Sequence, residues 1–272
     1  MPTSLLRSSL LLAALLGSSA CTRVPGTGRL QLNYIPESLM EQLGKSTYQD
    51  TLSQSKVDKT GDDADVLTKV GKRIAKVTGK NYEWKYRLIE DKGTVNAWCL
   101  PGGKIAFYTG ILPVLDNEAG MAFVMGHEVG HAIAKHGAER MSQQLAILGG
   151  IGGLQLYLDD KSKMSDEKKN LIIAALGAGA EVGVLLPFSR KQESEADQLG
   201  MMYMAGAGYP PSEAVSIWDR MEKITGGSKT PAFLSDHPSD SQRKARLKDL
   251  LPKAKKRYER NKLSGDPTKS IW

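Results

Sequence analysis

Residues 127 to 131 read His-Glu-Val-Gly-His, between the apolar runs Met121-Ala122-Phe123-Val124-Met125-Gly126 and Ala132-Ile133-Ala134. On a helix the two imidazoles stand four residues apart on one face. That spacing presents two nitrogen ligands to one zinc ion, with Glu128 beside them as candidate general base. In a chain with 4 histidines among 272 residues, the expected number of chance matches is about 0.003 for this motif's spacing. Val124, Val129 and Ala132 flank the histidines, so the rings should face inward, where an imidazole needs a partner and a metal supplies one.

A catalytic zinc takes three protein ligands and leaves the fourth position for water. His136, five residues past His131, is turned about 140° away on a continuous helix and cannot share the ion. A longer motif with a third histidine would need Gly at 134 and His at 137, where this chain has Ala134 and Gly137. The third ligand is therefore expected to be a distant carboxylate. Ser189 with Gln192 reads as a capping box, which places Glu193 just inside a helix start, where the dipole favours an ionised acid. Ala196, Leu199, Gly200, Tyr203 and Met204 define the apolar face of that helix. Glu193 and Asp197 fall within about 70° of its centre, and Glu195 points away as a solvated residue. Two acids on a buried face need partners, so Glu193 is the expected ligand and Asp197 the acceptor for a ligand histidine N–H.

With these residues in hand, the sequence resembles the zinc metallopeptidases grouped with the CAAX prenyl proteases and HtpX, especially their periplasmic and Oma-like branch. The matching stretches are Val95-Asn96-Ala97 with Pro101-Gly102-Gly103-Lys104-Ile105, His127 to His131, Glu193-Ser194-Glu195-Ala196-Asp197, and His237-Pro238 followed by Arg243. They span about residues 34 to 250. The resemblance implies that Glu193, first acid of its motif, ligates zinc, and that Asn96 and Ala97 lie in an edge strand that pairs with extended substrate. It also implies that His237, which Pro238 holds extended, approaches the zinc from the side opposite the metal helices. There it would either donate to the substrate oxyanion, with Arg243 nearby, or serve as a fourth ligand that displaces the catalytic water.

The elements that must position these groups follow from changes of period. Residues 37 to 78 carry the spacing of two amphipathic helices; then Trp84, Tyr86 and Leu88 alternate with Lys85 and Arg87, Thr94 to Leu100 runs as a strand, and Lys104 to Thr109 returns after a Pro-Gly-Gly turn. The expected class is α+β, mostly helical, a zincin-like metallopeptidase domain with a small antiparallel sheet beside the motif helix. The apolar stretches 145 to 158 and 171 to 188 read as a buried or mobile helical hairpin over the cleft, with membrane insertion as the alternative. Residues 1 to 20 read as a signal segment of lipoprotein type, 21 to 36 as a flexible tether, 37 to 262 as one domain and 263 to 272 as a tail. Cys99, with Cys21 the only cysteines, fits a small apolar strand residue.

The net charge of +7 is concentrated at residues 243 to 262, where ten Lys or Arg face only Asp249 and Glu259. A solvated helix face explains such a run, with anionic lipid head groups as the functional alternative. Nucleic acid is not an expected partner of an exported chain. The combined expectation is an exported zinc endopeptidase binding one Zn2+ per chain, in the periplasm and anchored to the outer membrane through a lipidated Cys21. By resemblance its substrates are misfolded or misassembled envelope proteins. The competing class is a non-proteolytic assembly factor with a structural zinc, which has no need of Glu128.

Overall fold

The motif helix is apolar nearly all round, and its surroundings match. The computed structural model describes residues 21–148, 159–160, 163–167, 169, 189–224, 231–238 and 241–272. In chain order its elements are β1 (Cys21–Arg23), β2 (Leu30–Leu32), α1 (Glu37–Ser53), β3 (Val57–Asp58), α2 (Asp62–Thr78), β4 (Lys85–Ile89), β5 (Ala97–Leu100), β6 (Lys104–Tyr108), α3 (Leu112–Leu115), α4 (Glu118–Ile133), α5 (His136–Leu148), α6 (Arg190–Gly206), α7 (Glu213–Ile224), α8 (Ala232–Asp236) and α9 (Ser241–Tyr258). Helix α4 bears the motif and is buried at every residue from Ala119 to His131. Asn117 starts it by accepting from the Gly120 N–H at 2.9 Å, a side-chain cap for an otherwise orphaned donor. Helices α2, α6 and α7 and strand β5 surround α4, so its apolar residues and theirs form one core.

The α+β class holds, with helix predominating, but the sheet is not antiparallel throughout. Its order is β3-β4-β6-β5. Strand β6 pairs antiparallel with β5, Ala97 opposite Phe107, and parallel with β4, Lys85 opposite Lys104. The reason lies at Asp91, whose carboxylate accepts from Gly93 N at 2.8 Å and Thr94 Oγ1 at 2.6 Å. This loop carries the chain away from β4 instead of folding it back as a hairpin. The tight turn comes next, with Gly102 and Gly103 at φ of 77° and 76°, a backbone region open to glycine. Strand β6 thus enters the middle of the sheet and β5 becomes an edge against the motif helix.

The stretch read as a flexible tether is ordered. Strands β1 and β2 pair with Cys21 opposite Leu32, Val24 is buried, and Gln31 Nε2 donates to Ala134 O at 2.8 Å. Proline and glycine here make a turn, and long-range polar bonds tie it down. Of the basic residues of α9, Lys248, Lys253, Lys255 and Lys256 are exposed, Lys244, Arg246 and Arg257 are half-buried and Arg243 is buried. Residues 1–20, read as a signal segment, and the apolar stretches beyond Leu148 lie outside the described residues. Among the described residues, no helix is long and apolar enough to cross a membrane.

Candidate metal centre

Helices α4 and α6 approach closely at two glycines of α4. A Cβ on Gly126 would stand 2.9 Å from Gly200 O, and one on Gly130 would stand 3.2 Å from Ala196 O. This contact sets the first turn of α6 against the motif. The capping box forms as its spacing implies, Ser189 Oγ accepting from Gln192 N at 3.3 Å and Gln192 Oε1 from Ser189 N at 3.1 Å. Glu193 follows directly and turns inward.

The two histidines of α4 aim their Nε2 atoms at one point, 3.1 Å apart. Glu193 Oε1 lies 3.3 Å from His131 Nε2, and Oε2 lies 3.5 Å from His127 Nε2. His237, at the end of α8, brings Nδ1 to 3.2 Å from His127 Nε2 and 3.0 Å from Glu193 Oε1. Ligand atoms of His127, His131, Glu193 and His237 all lie within 4.8 Å of one another, and all four residues are buried. Imidazole nitrogens with one carboxylate are a zinc donor set. Glu128 Oε1 and Glu193 Oε2 are buried without a hydrogen bond, although Arg243 Nη1 pairs with the latter at 2.6 Å. The convergence of these donors on one point is what fits the metal.

In the metal-free chain the buried charges of the cluster act strongly on one another. Burial alone would raise Glu193, but Arg243, His237 and His131 outweigh it and hold the carboxyl well below its usual range. Burial opposes charge on His127 too, yet Asp197 and Glu193 raise it to about 9. Burial pushes Glu128 up to about 8 and brings His237 down to about 4. A carboxyl that holds a proton near neutrality can both accept and return one.

Each ligand is held from behind. His127 Nδ1 lies 3.0 Å from Asp197 Oδ1, the partner expected of Asp197. Arg243 lies beside His237, Nη1 donating to His237 O at 3.5 Å, and it also donates to Asp197 through Nε and Nη2, each at 2.7 Å. Its guanidinium also lies 4.1 Å from the Trp218 ring centroid. Ala97 opens the edge strand, and Asn96 precedes it. The Asn96 side chain is engaged, Oδ1 accepting from Ala97 N at 2.8 Å and Nδ2 donating to Asp236 Oδ2 at 3.3 Å. Beside Glu128 and His131 opens a small pocket with apolar lining from Ile35, Met40, Cys99 and Ala138.

Sequence reasoning missed the support of His131. Helix α4 ends at Ile133, Lys135 takes a φ of 59°, and His136 begins α5. The bend returns His136 Nδ1 to 2.9 Å from His131 Nδ1. Glu195 is not solvated either: it is buried and accepts from Arg29, Thr27 and His136. The wheel correctly turned Glu195 from the metal, but it carries no signal of the β1–β2 hairpin that covers that face.

The family model of peptidase family M48 matches residues 62–251. The mitochondrial metalloendopeptidase OMA1 of Schizosaccharomyces pombe is 36% identical over 195 residues, 71% of this chain and 54% of that protein. Metalloprotease YcaL of Escherichia coli is 27% identical over 197 residues, 69% of this chain and 72% of YcaL. The beta-barrel assembly-enhancing protease of Escherichia coli is 26% identical over 157 residues, 56% of this chain and 31% of that protein. The chain spans about half the length of the fission and budding yeast OMA1 proteins, 54% and 51%. The OMA1 relatives from fission yeast, budding yeast and Arabidopsis thaliana are all named mitochondrial, which overturns the expected periplasmic, outer-membrane location. A short apolar run before small residues marks a segment for transfer but does not encode which membrane receives it. The matched span runs from α2 into α9 and takes in both histidines of the motif, Glu193 and His237; the chain belongs to peptidase family M48, a family of zinc metallopeptidases.

Proposed function

We propose that this chain is a zinc-dependent endopeptidase that cleaves unfolded or misassembled membrane-associated proteins. The convergence of His127, His131, Glu193 and His237 within 4.8 Å, beside the buried Glu128, carries this reading. Zinc bound there would polarise the scissile carbonyl and lower the pKa of the attacking water. Glu128 takes that water's proton and passes it to the leaving amine. Asp197 fixes the His127 ring, and Arg243 keeps Asp197 and Glu193 ionised. Substrate adds as a strand along β5, at the edge of the sheet. The pocket beyond Glu128 then accepts an apolar side chain. The substrate class is supported by the relative whose name joins proteolysis to β-barrel assembly. Attachment to a membrane through Cys21 belongs to the same reading, and the intact mass of the mature chain tests it.

A second reading has one observation behind it. With His237 counted, the cluster offers four protein ligands, the closed arrangement of structural zinc sites, which suits a non-proteolytic assembly factor. Incubation of the zinc-loaded protein with an unfolded substrate decides between them. Cleavage that stops with chelator and returns with zinc is the result expected of an endopeptidase; an intact substrate at full zinc occupancy favours the assembly factor.

A further inference from the structure

The two histidines of the motif are supported in different ways. His127 places its outer nitrogen against the carboxylate Asp197 at 3.0 Å, the usual second partner of a metal-bound imidazole. His131 places its outer nitrogen 2.9 Å from Nδ1 of another imidazole, His136. Behind that stands an ionic chain: His136 Nε2 lies 3.0 Å from Glu195 Oε2. Glu195 accepts from Arg29 Nε at 2.9 and 3.0 Å and from Thr27 Oγ1 at 2.9 Å. Arg29 also forks onto Glu139, both bonds at 2.7 Å. Glu139 Oε2 in turn accepts from Gln192 Nε2 at 2.7 Å, and Gln192 immediately precedes Glu193.

Only one arrangement of protons satisfies this chain when His131 Nε2 faces the metal with its lone pair. His131 Nδ1 then carries hydrogen and donates to His136 Nδ1. His136 must carry its own hydrogen on Nε2, which donates to Glu195. The carboxylate end is fixed by Arg29, so the tautomer of His136 is fixed too, and with it that of His131. His136 and Glu195 lie out of water, at 0% and 6% exposure, while Arg29 is half-buried. Water therefore does not readily replace His136 or Glu195.

We propose that His136 is a positioning residue for the zinc ligand His131, held in that role by the N-terminal β1–β2 hairpin through Glu195 and Arg29. The inference rests on the reading of the centre as a zinc site. It gives the hairpin a task at the centre: its Arg29 joins α5 to α6 behind the metal, steadying one ligand through His136 and the start of the helix that bears another.

Zinc affinity of the full mature chain, measured by competition with a chromophoric chelator, tests the proposal without recourse to peptidase activity. His136→Ala should weaken zinc about 10- to 100-fold, and His136→Asn, whose side-chain oxygen can accept from His131 Nδ1, should recover part of the loss. Glu195→Gln and Arg29→Ala should weaken zinc in the same direction, and the cobalt-substituted spectrum should change in His136→Ala. Where His136→Ala does not fold, the isosteric Glu195→Gln carries the test. Affinities within about twofold of wild type for the folded variants would overturn the proposal, whereas a wild-type chain that takes up no zinc would overturn the zinc reading itself.

Discussion

Gly200 stands directly against His127: a Cβ there would lie 2.7 Å from the His127 backbone nitrogen. The helix that supplies Glu193 thus touches the helix that supplies both histidines through bare backbone, and the metal site depends on that closeness.

Gly200→Ala is accordingly expected to destabilise. Alanine improves helix propensity by up to about 1 kcal/mol, but overpacking against backbone that cannot swing aside costs about 1–3 kcal/mol. The net expectation is a lower melting temperature together with weaker zinc binding, because α6 is forced outward. Calorimetry and metal titration read the two effects, and unchanged values in both would show that the helices have room to adjust.

Replacing Arg243 by Leu leaves Glu193 and Asp197 buried without their common cation. Stranding buried charge of this kind costs roughly 3–5 kcal/mol. Denaturant unfolding of the metal-free protein should show the loss, and added zinc should return part of it through Glu193. A variant as stable as wild type would remove Arg243 from this role.

Much of the centre was readable because its parts lie on single helices. The four-residue step between His127 and His131 and the capping box before Glu193 are local facts, and a helical wheel turns them into directions. The remainder depends on partners remote in sequence. Nothing near Arg29 signals Glu139 or Glu195, so Pro25, Gly26 and Gly28 read as a tether. The break that brings His136 back to His131 sits at Lys135, a residue type seldom found at positive φ. The parallel pairing of β4 with β6 depends on where Asp91 sends the chain, which alternation along each strand does not encode.

Acid should expose the hairpin's contribution. Burial would raise Glu195, but His136, Arg29 and Thr27 outweigh it and hold the carboxyl at about 2 rather than 4.5. A depressed carboxyl stabilises the fold fully above its unfolded value, and that stability is lost as pH falls through the folded value. The melting difference between wild type and Glu195→Gln should thus be largest above pH 4.5 and shrink toward pH 2. A difference constant across that window would contradict the assignment.

His237 sits among the ligand atoms and within 3.4 Å of Glu128 Oε1. As a fourth ligand it would occupy the position that catalytic water needs, so His237→Ala should keep zinc on the other three residues and cleave faster. A fall in turnover of about 10² to 10³ with zinc retained would make it an oxyanion donor instead.

The most direct test of the account is Glu128→Gln, which keeps the shape of the side chain and removes its capacity to accept a proton. Zinc content, melting temperature and cleavage of an unfolded substrate should be measured on one preparation. The account predicts wild-type zinc and a folded chain with cleavage abolished; cleavage at the wild-type rate by the zinc-loaded variant would contradict it.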